Sequence, residues 1–301
     1  MTAAIQPVRR NLKFHLPRNK VGSWNPVGAH WTHFYNTLSL FFPVGERFFI
    51  QSIRNYRDQI TDPKLQEAVR AFIAQEAFHG REHDEYNEAL AAAGFPVRRF
   101  EAQVTALLNW VQQIAPNSVQ LAATTALEHL TALMGDIILR DPQFLDNADE
   151  HFAALWRWHA MEETEHKGVA YDVYEAMMGT GPRAYVERTA VLIVATTVFW
   201  ALFYPYYFQM VKHEGVHLDL RGWWTSFRYQ WLNPGALRRL VPAWLDYFKP
   251  GFHPWDHDNR AFLEMAPEIE AKVAEFALRM ASQAEASAMD STDLATTGAA
   301  V

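Results

Sequence analysis

Four predicted helices each carry a glutamate in the middle of the stripe of side chains that should face a hydrophobic core. In the second helix, Phe72 and Leu90 keep the ends of the stripe apolar, whereas its middle holds glutamate and histidine at helical spacing. Two of the four helices add a histidine one turn after the glutamate. The ionisable residues at the centres of the stripes are Glu46 on the first helix, Glu76 and His79 on the second, Glu128 on the third, and Glu163 and His166 on the fourth.

Carboxylates in such positions need a positive partner. Burying one unpaired carboxylate costs several kcal/mol, and four of them in one core would repel one another. Two metal ions would supply the missing charge. A Glu from each of two helices and a Glu-x-x-His motif from each of the other two form the ligand set of ferritin-like di-iron and di-manganese proteins. The chain has no cysteine, and the oxygen and imidazole donors that remain suit iron or manganese.

The spacing of the glutamates along the chain fits antiparallel helices. Glu46 and Glu76 are 30 residues apart and Glu128 and Glu163 are 35 apart, which suits two hairpins with a crossover between them. The predicted helices cover 29–59, 63–93, 117–139 and 147–178, with a further helix or crossover over 97–115. The predicted fold is therefore all-α: a ferritin-like four-helix bundle with a dinuclear metal site, plus an additional helical, aromatic-rich C-terminal part.

The chain divides into four predicted regions. They are an N-terminal extension (1–24), the di-metal bundle (25–182), an apolar and aromatic-rich helical region that forms a lid or contacts a membrane (183–265), and a C-terminal helix with a disordered tail (266–301). The third region contains an uncharged stretch, Thr189–Val211, which would span about 34 Å as a helix, close to the thickness of a bilayer core. A buried central helix and a membrane contact both remain open interpretations of this stretch.

Further ionisable residues lie on or beside the same stripes. His159 precedes Glu163 by one turn on the same helix face, so we expect it to be a seventh metal ligand. His83 occupies the corresponding place on the second helix, and we predict that it supports the ligands from a second layer. Asp172, near the end of the fourth stripe, is the other candidate for such a supporting role.

Composition and motifs argue against several other functions. The net charge of −7 gives no electrostatic reason to bind nucleic acid, and the G-x-S-x-G, P-loop and G-x-G-x-x-G signatures are absent from the sequence. We assign Glu162 and Glu165 to solvated helix faces, with a hydrogen bond from an imidazole to one of them as the alternative, and we assign His253, Asp256 and His257 to a solvated loop. The basic N-terminus lacks the apolar core of a signal peptide, so we expect a cytoplasmic protein, with association with the inner face of the membrane as the alternative.

The sequence resembles a bacterial family described as predicted metal-dependent hydrolases, over roughly residues 25–260. The resemblance is carried by the stretches 158–167, 75–79 and 127–129. The ligand pattern also resembles that of the di-iron arylamine N-oxygenases, whose additional histidine precedes the last Glu-x-x-His motif at the spacing of His159. The metal ligands that this resemblance implies are Glu46, Glu76, His79, Glu128, His159, Glu163 and His166.

The leading hypothesis is a di-iron oxygenase or oxidase that uses O2 to oxidise a hydrophobic or aromatic small molecule. It would hold two iron ions, with Mn/Fe and Mn/Mn as alternatives, and would need an external electron donor such as a reductase or ferredoxin. The predicted catalytic residues are Glu46, Glu76 and Glu163. One of them, Glu76 or Glu163, is predicted to bridge the two metal ions and to shift so that a coordination position opens. A dinuclear hydrolase that uses a metal-bridging water is the second hypothesis, and a ferroxidase or metal-binding protein is the third. A homodimer remains open.

Overall fold

Helices account for all regular secondary structure in residues 5–297, the part of the chain that the computed structural model describes; side chains are described up to residue 283. The all-α prediction is confirmed over this range. The α-helices are α1 (Ala29–Ser39), α2 (Phe42–Arg54), α3 (Pro63–Ala92), α4 (Val97–Ile114), α5 (Asn117–Arg140), α6 (Glu150–His166), α7 (Val169–Met178), α8 (Pro182–His213), α9 (Leu220–Phe227), α10 (Ala236–Asp246) and α11 (Ala266–Thr297).

Two helix pairs surround the interior that holds the predicted ligands. Helix α2 packs along α3, α5 packs along α6, and the pairs meet through α2 with α5 and through α3 with α6. Helix α4 connects α3 to α5, and α8 packs on α1 and α5. The four helices with ionisable stripes therefore face one another.

A proline divides the helix predicted over 29–59. Pro43 has no amide hydrogen to donate to the carbonyl of Ser39, and its ring would crowd that carbonyl in a continuous helix. Accordingly, α1 ends at Ser39 and α2 begins at Phe42.

A close side-chain contact accompanies a second interruption, in the helix predicted over 147–178. Helix α6 ends at His166 and α7 begins at Val169. A Cβ at Gly168 would lie 2.6 Å from the indole nitrogen of Trp255. Glycine therefore lets the loop that carries Trp255 pack directly against the break.

The last helix is longer than predicted. Helix α11 runs to Thr297, so the segment from about residue 281, predicted as a disordered tail, is helical as far as the structure describes it. Alanine is frequent in this segment, and it has the highest helix propensity of all residues. The last four residues of the predicted tail, 298–301, lie outside the described range.

Helix α8 contains the long uncharged stretch and lies along the surface. Of the described helices, α8 is the one that is long and apolar enough to cross a membrane. Only 22% of its most apolar window is buried, so it is not the buried central helix that the sequence also allowed. Its inner face packs on α1 and α5, and its outer face is open.

Candidate metal centre

The predicted ligands come together in the interior between α2, α3, α5 and α6. Each of the seven is buried, with an exposed fraction of 4% or less. They form three groups, and within each group one donor atom per residue lies within 4.8 Å of the others. The groups are Glu46, His79 and His159; Glu76, His79 and His166; and Glu128, Glu163 and His166.

His166 links the second and third groups. Its Nδ1 atom lies 3.0 Å from Glu128 Oε2 and 3.3 Å from Glu76 Oε1, so carboxylates from α5 and α3 meet at one imidazole of α6. Glu163 is held from two sides: His159 Nε2 lies 2.9 Å from its Oε1, and the Thr131 hydroxyl donates to its Oε2 at 2.6 Å. The third group is therefore ordered by contacts that span α5 and α6.

Several donor atoms of this cluster have no hydrogen-bond partner. Buried polar atoms in folded proteins are nearly always paired, so such a concentration needs an explanation. The unpartnered atoms are both carboxylate oxygens of Glu46, Oε1 of Glu76, Oε1 of Glu128, Nδ1 of His79 and Nε2 of His166. Metal ions would give such atoms partners, and carboxylate and imidazole donors suit divalent iron or manganese. The residues present therefore fit a metal centre.

The electrostatics of the cluster also favour added positive charge. Burial, and then repulsion from neighbouring carboxylates, raise the pKa well above its usual range in Glu46, Glu76 and Glu128. Burial would also raise the pKa of Glu163, but attraction to His166 and His159 outweighs it and lowers that pKa. Burial and neighbouring imidazoles hold the pKa of His79 well below its usual range. His79 is therefore neutral, which is the form that binds metal.

Glu162 is part of the site, which corrects its assignment to a solvated face. Its side chain is completely buried, and its Oε2 lies 3.1 Å from His79 Nε2. An imidazole that offers Nδ1 to a metal carries its proton on Nε2, so Glu162 fixes the ring in the orientation that points Nδ1 at the cluster. Arg10 reaches Glu162 at 3.3 Å and Glu165 at 2.7 Å. The assignment of Glu165 to a solvated face was also wrong, because its side chain is buried. Sequence reasoning missed Arg10, because nothing local links the N-terminal segment to α6.

Replacing Glu162 with alanine should weaken metal binding by roughly 10- to 100-fold, because outer partners of ligand histidines have effects of this size. Glutamine at the same position keeps an acceptor for His79 and should restore most of the affinity. Titration of the metal-free protein with Fe(II) or Mn(II) measures both variants. Equal affinities of wild type and Glu162→Ala would show that Glu162 does not position His79.

The two residues predicted to support the ligands lie in different places. His83 Nε2 is 2.7 Å from His159 Nδ1, and the Ser39 hydroxyl lies 2.9 Å from His83 Nδ1, so His83 contacts a predicted ligand directly. Asp172 contacts none of the seven. It accepts from His253 Nε2 at 2.9 Å in a partly exposed position, so its supporting role is not retained.

Gly80 allows α2 and α3 to approach each other next to Glu46. A Cβ at Gly80 would lie 2.9 Å from Glu46 Oε2, closer than real Cβ contacts, whereas a Cβ at Gly45 would meet Phe49 at an ordinary 3.8 Å. This approach could not be predicted from the sequence, since a glycine within a helix has several explanations.

Gly80→Ala should therefore displace the Glu46 carboxylate and lower the affinity for metal by about 10-fold, a loss like that of other perturbed ligands. Gly45→Ala is the matched control and should bind metal as wild type does. Calorimetric titration compares the two variants. A Gly80→Ala protein with wild-type affinity would mean that Glu46 does not need its observed position.

An apolar cavity of about 440 Å³ reaches the cluster from the surface. Its walls come from α2, α4, α5 and α8, and Glu46 is the single charged side chain among the described lining residues. Thr131, whose hydroxyl donates to Glu163, also lines it. The cavity thus contacts the candidate metal centre at Glu46 and offers an apolar molecule a binding site there.

Comparison with known proteins gives one match. A family model described as "Predicted metal-dependent hydrolase" matches residues 8–258. No curated protein and no solved structure matches the chain. The resemblance to arylamine N-oxygenases therefore gains no support from these comparisons.

Proposed function

The chain belongs to the family of predicted metal-dependent hydrolases, and from that membership we propose that it is a dinuclear enzyme that hydrolyses an apolar ester. We further propose that the bundle is ferritin-like and that the seven predicted residues are its metal ligands. Family membership favours hydrolysis over the oxygenase chemistry that the sequence analysis preferred. The observation that carries the proposal is the apolar cavity that ends at Glu46 beside the unpartnered Glu/His cluster.

The chemistry of hydrolysis divides between the metal ions and the chain. When bound, divalent ions would act as Lewis acids and lower the pKa of a water molecule, so that a nucleophile is available near neutral pH. Glu46 lines the cavity, and neither of its carboxylate oxygens has a hydrogen-bond partner. As a ligand it would offer one carboxylate oxygen to a metal ion, whose charge would keep the carboxylate ionised, and the other oxygen would accept a proton from the attacking water.

Other residues orient and shield the reacting groups. Glu162 keeps His79 Nδ1 directed at the cluster, and the Thr131 hydroxyl holds Glu163. The apolar walls exclude bulk water and bind the apolar part of a substrate. No Lys or Arg is among the described lining residues, which disfavours a phosphate ester and supports an acyl ester.

A di-iron oxygenase is the second candidate, and the composition of the donor set favours it. Four carboxylates and three imidazoles around an apolar cavity suit iron, which would supply the redox capacity to reduce O2. Such a reaction would need the external electron donor named above. For this candidate, the apolar walls would bind the hydrophobic substrate next to Glu46.

Turnover without oxygen separates the two candidates. Protein loaded with Mn(II), Zn(II) or Fe(II) should hydrolyse p-nitrophenyl acyl esters under argon, and faster with longer acyl chains, because these fill the apolar cavity. Glu46→Gln should lose most of this activity, since a missing general base costs about 10²–10⁴-fold. Absence of hydrolysis together with O2 consumption by the Fe(II) protein would reject the hydrolase in favour of the oxygenase.

A further inference from the structure

The outer face of α8 is apolar over most of its length. A surface helix normally turns charged side chains to water, and a helix that is apolar all round belongs in a core or in contact with lipid. The exposed positions between Arg183 and Lys212 follow helical spacing and include no charged side chain: Val186, Ala190, Ile193, Val194, Thr197, Val198, Ala201, Tyr204, Pro205 and Phe208.

The neighbouring helices extend this apolar face. Helix α4 lines the same cavity as α8, and α10 is joined to α8 by a bond from the Trp244 indole to the Thr196 hydroxyl. We define the apolar patch as the exposed apolar residues of the three helices. In addition to those of α8, they are Trp110 and Ile114 on α4, and Val241 and Leu245 on α10. Exposed apolar residues grouped on neighbouring helices are typical of a contact surface.

The charge of the segment that carries α8, α9 and α10 indicates which kind of partner the apolar patch contacts. Between Arg183 and Lys249 the chain has eight Arg and Lys against four Asp and Glu, whereas the whole chain has a net charge of −7. Of the eight, Arg188 is buried and Arg239 pairs with Asp141, so six remain against four acidic residues. Exposed Arg238 on α10 and exposed Lys249, just after this helix, come before and after the apolar positions along the chain. Exposed Trp224 and Phe227 lie on α9, and exposed Trp231 comes just after it. Basic and aromatic residues around an apolar face suit a bilayer with anionic headgroups, whereas two copies facing each other would bring the same positive charge together.

The cavity opens on the same surface. Trp110, Ile114, Val194 and Val198 line the cavity and are also exposed, so they form its mouth within the patch. An apolar molecule could pass from a bilayer through this mouth to Glu46 without crossing water.

We propose that the apolar patch docks on an anionic bilayer surface and that the enzyme takes a lipid-soluble substrate directly from that bilayer. The identity of the substrate rests on the proposed function, but docking does not depend on catalysis. Helix α8 lies on the membrane and does not span it, because its inner face packs on α1 and α5.

Vesicle flotation of the full chain tests the docking. Ile193 and Leu245 belong to the patch, do not line the cavity, and are 49% and 53% exposed. Leu278 and Met280 on α11 are 70% and 47% exposed and provide the matched control. The variants are Ile193→Glu/Leu245→Glu and Leu278→Glu/Met280→Glu, each checked for unchanged melting temperature and metal content.

The wild type and the α11 variant should float with phosphatidylcholine vesicles that contain about 30% phosphatidylglycerol, because both apolar burial and anionic charge contribute. The patch variant should bind at least about 10-fold more weakly, and pure phosphatidylcholine should bind the wild type less well. No flotation of the wild type, or equal loss in both variants, would overturn the proposal. The proposal would also be overturned if the wild type and the α11 variant are dimers and the patch variant is a monomer, because a second copy would then cover the patch. If the wild type binds metal and hydrolyses esters but does not float, the membrane proposal is rejected and the proposed function stands. If it floats but binds no metal or hydrolyses no ester, the proposed function is rejected and membrane docking stands.

Discussion

Glu76→Ala should reduce the metal content of the reconstituted protein from two ions per chain to well under one. Glu76 belongs to one group with His79 and His166, and His166 also belongs to the group with Glu128 and Glu163. Because Glu76 Oε1 lies 3.3 Å from the shared imidazole, its loss removes a donor from one ion and loosens the residue common to both groups. Elemental analysis after anaerobic loading with Fe(II) and desalting measures the effect.

Two controls separate metal binding from folding. Glu85→Ala changes an exposed glutamate on the same helix, and its surface ion pair with Lys13 contributes little, so metal content should stay at the wild-type value. The metal-free Glu76→Ala protein should melt no lower than the metal-free wild type, because it has lost a carboxylate whose burial and repulsion are unfavourable. Full metal retention in Glu76→Ala would refute the site.

Removing the metal ions should lower the melting temperature by roughly 10 °C. A ligand at 100 times its Kd stabilises a protein by about 2.7 kcal/mol per site, so two sites contribute about 5 kcal/mol. In proteins of about 150–250 residues each kcal/mol changes Tm by about 2–4 °C, and the lower end of that range applies to a chain of 301 residues. Calorimetry before and after treatment with a chelator measures the difference, and Glu76→Ala should show almost none. A wild-type difference near zero would contradict a metal ion in this core.

The difference in melting temperature between the metal-loaded and the metal-free protein should grow as the pH rises above about 7. The raised pKa values of Glu46, Glu76 and Glu128 mean that the metal-free folded protein holds protons that the unfolded chain has already released. Each group therefore stabilises the metal-free fold less as pH rises through its folded pKa. His79 and His83, whose pKa values are lowered by burial, act with the opposite sign only below about 6.5. A difference in melting temperature that stays constant from about pH 7 to about pH 9 would contradict this electrostatic explanation.

Helical periodicity was sufficient to predict which ionisable residues meet. Glu76 and His79, and likewise Glu163 and His166, are one turn apart on single helices, so their shared face follows from local geometry. The hairpin spacing then placed Glu46 opposite Glu76. These inferences need only the stripe of each helix and the distance along the chain.

Contacts between distant segments could not be predicted in the same way. Glu162 lies off the stripe of its helix, yet it is buried in contact with Arg10, which lies 152 residues earlier in the chain. The close approach at Gly80 likewise depends on the exact separation of α2 and α3. The exposure of α8 depends on which of its faces α1 and α5 cover, whereas its composition alone suits a core helix equally well.

Anomalous scattering from crystals of the Fe(II)- or Mn(II)-loaded protein, collected at the metal absorption edge, tests directly whether the seven-residue cluster holds two metal ions. We expect two peaks inside the bundle, each contacted by members of the seven-residue cluster, and at most one weak peak in Glu76→Ala crystals. No peak within the cluster, or a metal ion held instead by His253, Asp256 and His257, would contradict this expectation.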